Sequence, residues 1–117
     1  MKTSIPIILL CFALITACSG PSRDTELESA ISNLVEADEI VAMNNFGQIV
    51  INISSQAPFK MKQKVRMELA ERLAYTVHKI HPDSNIIAIG FARNKPEIQQ
   101  IVYSWENKDG KLTLMSQ

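Results

Sequence analysis

Cysteine is nearly absent from this chain: Cys11 and Cys18 are the only two in 117 residues. Cys11 lies inside an apolar run, so a disulfide-stapled scaffold and a zinc site built on paired cysteines are both excluded. Histidine is equally scarce, with His78 and His81 alone. Their spacing of three could bring two imidazoles to one metal on a helix, with Asp83 as a third ligand. However, Pro82 disturbs that turn, and a histidine near a helix C-terminus is favoured by the dipole without any metal. No metal site is expected. Glycine numbers four, and none stands in a loop that cradles phosphate. Ser54-Ser55 lacks the Gly-x-Ser-x-Gly setting of an activated nucleophile. The acids concentrate in a solvated helix, which is no setting for a catalytic carboxylate pair. Lys and Arg number 12 and so do Asp and Glu, a formal net charge of zero. No global field favours nucleic acid. Aromatics are 6 %, and the alternating pair Tyr103 and Trp105 reads as core, not as a base-stacking platform. The expectation is a non-enzymatic protein with no cofactor, no metal and no nucleic-acid partner.

What the chain does have begins at its N-terminus. Lys2 supplies a positive charge, and Ile5 to Ala17 is apolar apart from Thr16. That run of about 13 residues spans roughly 20 Å as a helix, short of the ~30 Å hydrocarbon core. A charged start, an apolar centre and small residues before a boundary make a secretory signal. A permanent membrane span is the competing reading, and the length argues against it.

The boundary itself is Ile15-Thr16-Ala17-Cys18. These residues resemble the lipobox of bacterial lipoproteins: an aliphatic residue, two small ones, then cysteine. Leu is commoner than Ile at the first position, and one basic residue makes a thin charged region. The resemblance implies a diacylglycerol on the Cys18 sulfur, cleavage before Cys18 and acylation of the new amine. Ser19 in place of Asp implies routing to the outer membrane, on its periplasmic face. Inner-membrane and cell-surface locations stay open. Several acyl chains hold a protein stably where one does so only marginally. The expected organisation is a signal peptide over 1–17, a lipidated cysteine and short tether over 18–23, and one domain over 24–117.

In that domain, Asp24 to about Ala37 reads as a helix. Leu27, Ala30, Ile31, Leu34 and Ala37 recur at helical spacing, and Asp24, Glu26 and Glu28 favour its start. Ile40 to Met43 fits either a continued helix or a strand. Asn44-Asn45-Phe46-Gly47 carries turn chemistry and predicts a hairpin into a strand over Gln48 to Ser54. Phe59 to Ile80 reads as the longest helix, ended by His81-Pro82. Strands follow over Asn85 to Ala92, Ile98 to Glu106 and Lys111 to Met115, with Asp109-Gly110 as a hairpin turn. Alternation places Ile49, Ile51, Ile53, Ile87, Ile89, Phe91, Ile101, Tyr103, Trp105, Leu112 and Leu114 on one face. The fold expected is α+β: a two-layer sandwich with a largely antiparallel sheet of four to five strands and two helices packed on one face. The opposite face holds Val50, Asn52, Ala88, Gln100, Val102, Ser104 and Thr113. It is mildly polar, suited either to water or to a docking partner.

Lys60, Lys62, Lys64 and Arg66 place four positive charges in seven residues. Read functionally, this basic collar contacts an anionic lipid surface or acidic partner. Otherwise it is a solvated helix start, paired with the acids near the N-terminus.

The order helix, strand, strand, helix, strand, strand is similar to that of the BON domain, an envelope and lipid-binding module. Phe46-Gly47-Gln48-Ile49-Val50-Ile51 and Glu68-Leu69-Ala70-Glu71-Arg72-Leu73-Ala74 are the matching pieces. That resemblance implies phospholipid contact through the basic collar. Two functions follow as expectations: a lipid-anchored interaction or accessory module with an envelope protein partner, or an anionic lipid-surface binder.

Overall fold

A computed structural model describes residues 22–116. The signal-peptide and lipobox assignments, Cys18 included, lie outside the described residues. The chain runs through β1 (Ser22–Arg23), α1 (Thr25–Ser32), β2 (Glu39–Asn45), β3 (Gln48–Ser54), a 3-10 turn (Ala57–Lys60), α2 (Gln63–Ile80), β4 (Ile86–Arg93), β5 (Gln99–Lys108) and β6 (Lys111–Ser116). The six strands form one sheet in sequence order. Every neighbouring pair is antiparallel except β3 and β4, which α2 connects in parallel.

The fold is thus a mixed α/β one with two helices and a single sheet, which has six strands where four to five were expected. The extra strand is β1, assigned above to the tether. Ser22 pairs with Asn44 and Arg23 with Met43. Two residues are too few to carry a periodicity, so pairing of this kind leaves no mark in the sequence.

The ladder between β1 and β2 continues into the start of α1 by other means. Asp24 N–H donates to the Ala42 carbonyl at 2.8 Å. Ala42 N–H in turn donates to the Glu28 carboxylate at 2.9 Å. Asp24 also caps α1, its Oδ1 accepting from Leu27 N–H. The same Glu28 oxygen takes the Arg23 Nε–H at 2.6 Å. Arg23 and the Ala42 amide together hold the Glu28 carboxyl below the usual carboxylate range. A depressed folded pKa means that ionised Glu28 stabilises the fold at neutral pH. That contribution is lost as pH falls through the folded value. Glu28→Gln is therefore expected to melt lower than the wild type at pH 7, the gap closing below about pH 4. Glu28→Ala, which leaves the Ala42 amide without its acceptor, should cost about 1–3 kcal/mol. Thermal melts across pH check both, and a gap that persists unchanged in acid would contradict the assignment.

The helices begin and end differently from the spacing-based expectation. α1 stops at Ser32, not near Ala37. Leu27 and Ile31 are fully buried, while the next member of the stripe, Leu34, is exposed. Asn33 and Leu34 N–H close the helix onto Ala30 and Ile31 carbonyls, and the chain turns toward β2. The expected helix over Phe59 to Ile80 is broken at Met61 and Lys62, both of extended backbone. Pro58 sits in the 3-10 turn ahead of that break, so α2 starts at Gln63. Its C-terminal end is as expected, at His81 before Pro82.

Ile40 to Met43 is strand, within β2. The two hairpins form where the turn chemistry predicts, each with two residues at positive φ: Phe46 and Gly47, then Asp109 and Gly110. The inward alternation also holds. Ile49, Ile51, Ile53, Ile87, Ile89, Phe91, Tyr103 and Trp105 are buried with Leu69, Ala70, Leu73, Ala74 and Val77 of α2. Leu112 joins them; Leu114 is more exposed.

Candidate functional site

Strand direction gives the domain two ends. β3 leaves the Phe46-Gly47 turn and α2 returns toward it, so that turn, the C-terminal end of α2 and the start of β4 share one end. The hydrogen bonds agree: Asn85 N–H donates to the Gly47 carbonyl, and Asn107 N–H to that of Asn85. Asn107 Nδ2–H reaches the Pro82 and Ser84 carbonyls at 3.0 and 2.8 Å. Three loops are thereby tied into one platform. Ser22, pairing with Asn44, enters the sheet at this same end.

The basic collar lies at the other end. α2 has 18 residues, about 27 Å of helix, and the collar surrounds its start. Lys60 closes the 3-10 turn, Lys62 is the residue before α2, and Lys64 and Arg66 are in its first turn. Lys60, Lys62 and Lys64 are exposed and form no ion pair among the described residues. Arg66 faces inward. Its Nε–H donates to the Tyr103 hydroxyl at 3.0 Å, and Nη1 to the Pro58 and Met61 carbonyls. It ties the break before α2 to β5, a partnership across 37 residues that spacing cannot reveal. Two of the N-terminal acids find partners other than the collar: Glu28 takes Arg23, and Asp24 takes His81 at 2.8 Å.

At this far end a shallow depression of about 270 Å³ is lined by Asp38, Ser54, Ser55, Gln56, Ala92, Arg93, Asn94 and Lys95. Some of its polar groups are committed, while the buried Arg93 Nε has no hydrogen-bond partner. The Ser55 hydroxyl donates to the Glu36 carbonyl and Gln56 Nε2–H to that of Lys95. Arg93 stacks over Phe59 at 4.8 Å. His78 and His81 do not converge with a third ligand, and no group of three such side chains forms among the described residues.

The outer face of the sheet is the larger feature. Pairing aligns Met43, Val50, Ala88 and Ser104 in one row, and Val41, Asn52, Gly90 and Val102 in the next. Val50 is 50 % exposed and Val102 40 %. Gln100 Nε2–H donates to Asn52 Oδ1 at 3.3 Å, a bond that spans β4 over Gly90, which has no side chain to obstruct it. Charge lies toward the margins: Arg23 on β1, next to Met43, Glu39 on β2, and Glu106, Lys108 and Lys111 by the last hairpin. Both helices pack on the opposite face, so among the described residues no helix covers this one. Sequence alternation had assigned the face correctly. It could not reveal the pairing register that gathers its apolar members into two rows.

No protein-family model, no curated protein and no solved structure matches the chain.

Proposed function

We propose that this is a small lipid-anchored protein of the bacterial cell envelope, held through acyl chains on Cys18 at the periplasmic face of the outer membrane. It acts there as a non-enzymatic interaction or accessory module. The anchor rests on Ile15-Thr16-Ala17-Cys18 at the end of a short apolar run. The interaction role rests on one observation: the open sheet face is uncharged and partly apolar across its centre. An antiparallel face meant only for water ordinarily carries charged side chains, whereas a docking face is depleted of them at its core.

The partner is an envelope protein, recognised through Val50, Val102 and the rows between them. Photocrosslinking side chains introduced at positions 50 and 102 should give a discrete heavier adduct in intact envelopes. The same groups at Glu71 and Arg72, exposed on α2, should give none. Val50→Lys combined with Val102→Lys should abolish the adduct of a crosslinker at position 104 and leave the melting temperature nearly unchanged. Equal adducts from both faces, or none from either, would overturn the interaction role.

A further inference from the structure

The two hairpins, Asn44-Asn45-Phe46-Gly47 and Asn107-Lys108-Asp109-Gly110, are built to one plan. In the second, Asn107 Oδ1 accepts from Gly110 N–H at 2.9 Å. In the first, Asn44 Oδ1 accepts from Gly47 N–H at 3.3 Å. Each turn then has a residue at φ +53° followed by glycine. In the second hairpin that residue is Asp109, a type that tolerates the left-handed region. In the first it is Phe46, a type that does not. Phe46 is also 87 % exposed. The fold therefore holds a large apolar ring in water, on a backbone conformation unfavourable to it, where asparagine or aspartate would serve the turn better.

Its place in the fold supplies a reason. β1 runs antiparallel to β2 with Ser22 opposite Asn44, so β1 begins at the end of the sheet toward which β2 runs, the end with the Phe46 turn. Cys18 is four residues before Ser22, a reach of at most about 14 Å when fully extended. Phe46 lies two residues beyond Asn44, the partner of Ser22, or about 7 Å in that same direction. With so short a tether, an acylated Cys18 keeps the Phe46 end of the sheet near the lipid headgroups, whose layer is about 6 Å deep. The platform made by residues 46–47, 82–85 and 107–110 gives the ring a rigid mount.

We infer that Phe46 is a second, non-covalent membrane contact: its ring enters the headgroup region of the bilayer that holds the acyl chains. The inference rests on the lipid-anchor reading above. Two attachments, one flexible and one fixed to the sheet, orient the domain. The strands then stand up from the membrane, and the end carrying Lys60, Lys62, Lys64 and Ile98 points away from it.

The full chain offers its own test. With Cys11 removed in the signal and the Cys18 sulfur in thioether linkage, a cysteine introduced elsewhere is the only free thiol. Phe46→Cys and Ile98→Cys each carry an environment-sensitive nitrobenzoxadiazole dye. Ile98 is 84 % exposed at the opposite end and is the matched control. Intact mass is measured first, then each protein is placed in phosphatidylethanolamine–phosphatidylglycerol vesicles. The dye at position 46 should brighten several-fold, shift to the blue and be quenched by nitroxide lipids, while that at position 98 behaves as in water. Phe46→Trp gives a second reading. Emission beyond that of the buried Trp105 should be quenched by brominated lipids. Acylated, vesicle-bound protein with position 46 as water-like as position 98 overturns the membrane contact alone. Protein whose mass lacks acyl chains overturns the lipid anchor and the contact with it.

Discussion

Cys18→Ala is expected to abolish acylation outright. Wild-type protein made with a C-terminal tag in a Gram-negative host should show a mass beginning at Cys18 with three acyl chains added. It should fractionate with membranes and leave them only in detergent. The alanine variant has no sulfur to carry diacylglycerol, and diacylation precedes cleavage in proteins with this motif, so its mass should begin at Met1 or at an alternative cut, without lipid. The size of the effect follows from the chemistry of anchoring. Each buried methylene contributes about 0.8 kcal/mol, and several chains together exceed what a single exposed ring supplies by an order of magnitude. Phe46 therefore orients an anchored domain and does not replace the anchor. An unmodified wild-type mass, or an acylated mass for Cys18→Ala, would remove the basis for the localisation and for the orientation together.

Which parts of this molecule could be read from its sequence depends on how far apart the interacting groups lie. The hairpins were legible because turn chemistry is local: Asn44 to Gly47 and Asp109-Gly110 carry the needed residues within four positions. The inward face was legible because alternation is local too, and Ile49, Ile51 and Ile53 are indeed buried. Helix limits were less so. Leu34 and Ala37 continue the stripe of α1 in spacing, yet the chain has already left the helix. Spacing of four from the buried Leu69 suggests an inward Val65, yet Val65, in the first turn of α2, is 47 % exposed. β1 was not legible at all, since main-chain pairing over two residues has no compositional signature.

The candidate site divides in the same way. The lipidation motif is a contiguous signal. The outer face followed from the same alternation as the core. The collar, by contrast, was a sequence cluster whose members do different things once folded: three exposed lysines at the end opposite β1, and Arg66 turned onto Tyr103. Phe46 appeared in the sequence only as one residue of a turn. That it occupies the left-handed position was hidden because phenylalanine is a poor occupant of it, and that it lies at the end where Ser22 joins the sheet was hidden because β1 was.

The same two faces set the second large effect, on stability. Phe91→Ala should cost about 3–5 kcal/mol. Phe91 is fully buried on β4 and stands level with Ile53 of β3 and Ile101 of β5. Truncating it leaves a cavity between the sheet and α2 that close-packed neighbours fill only in part. Domains of this size have about 5–15 kcal/mol in total, so the loss is a large share of the whole, and a fall in melting temperature of roughly 12 °C or more follows. Val102→Ala is the informative partner. Val102 pairs with Gly90, the residue next to Phe91, yet its side chain lies on the outer face. Its truncation should change stability by only about 0.5 kcal/mol. Adjacent positions in one sheet then differ severalfold in cost, because one face is filled by α2 and the other is left open. Comparable losses for both variants would mean that the outer face is already packed against something within the chain or a second copy of it. Its role as a docking face for an envelope protein would then be untenable. A large loss for Phe91→Ala alone leaves that face free, with its apolar rows unspent in folding and available for a partner.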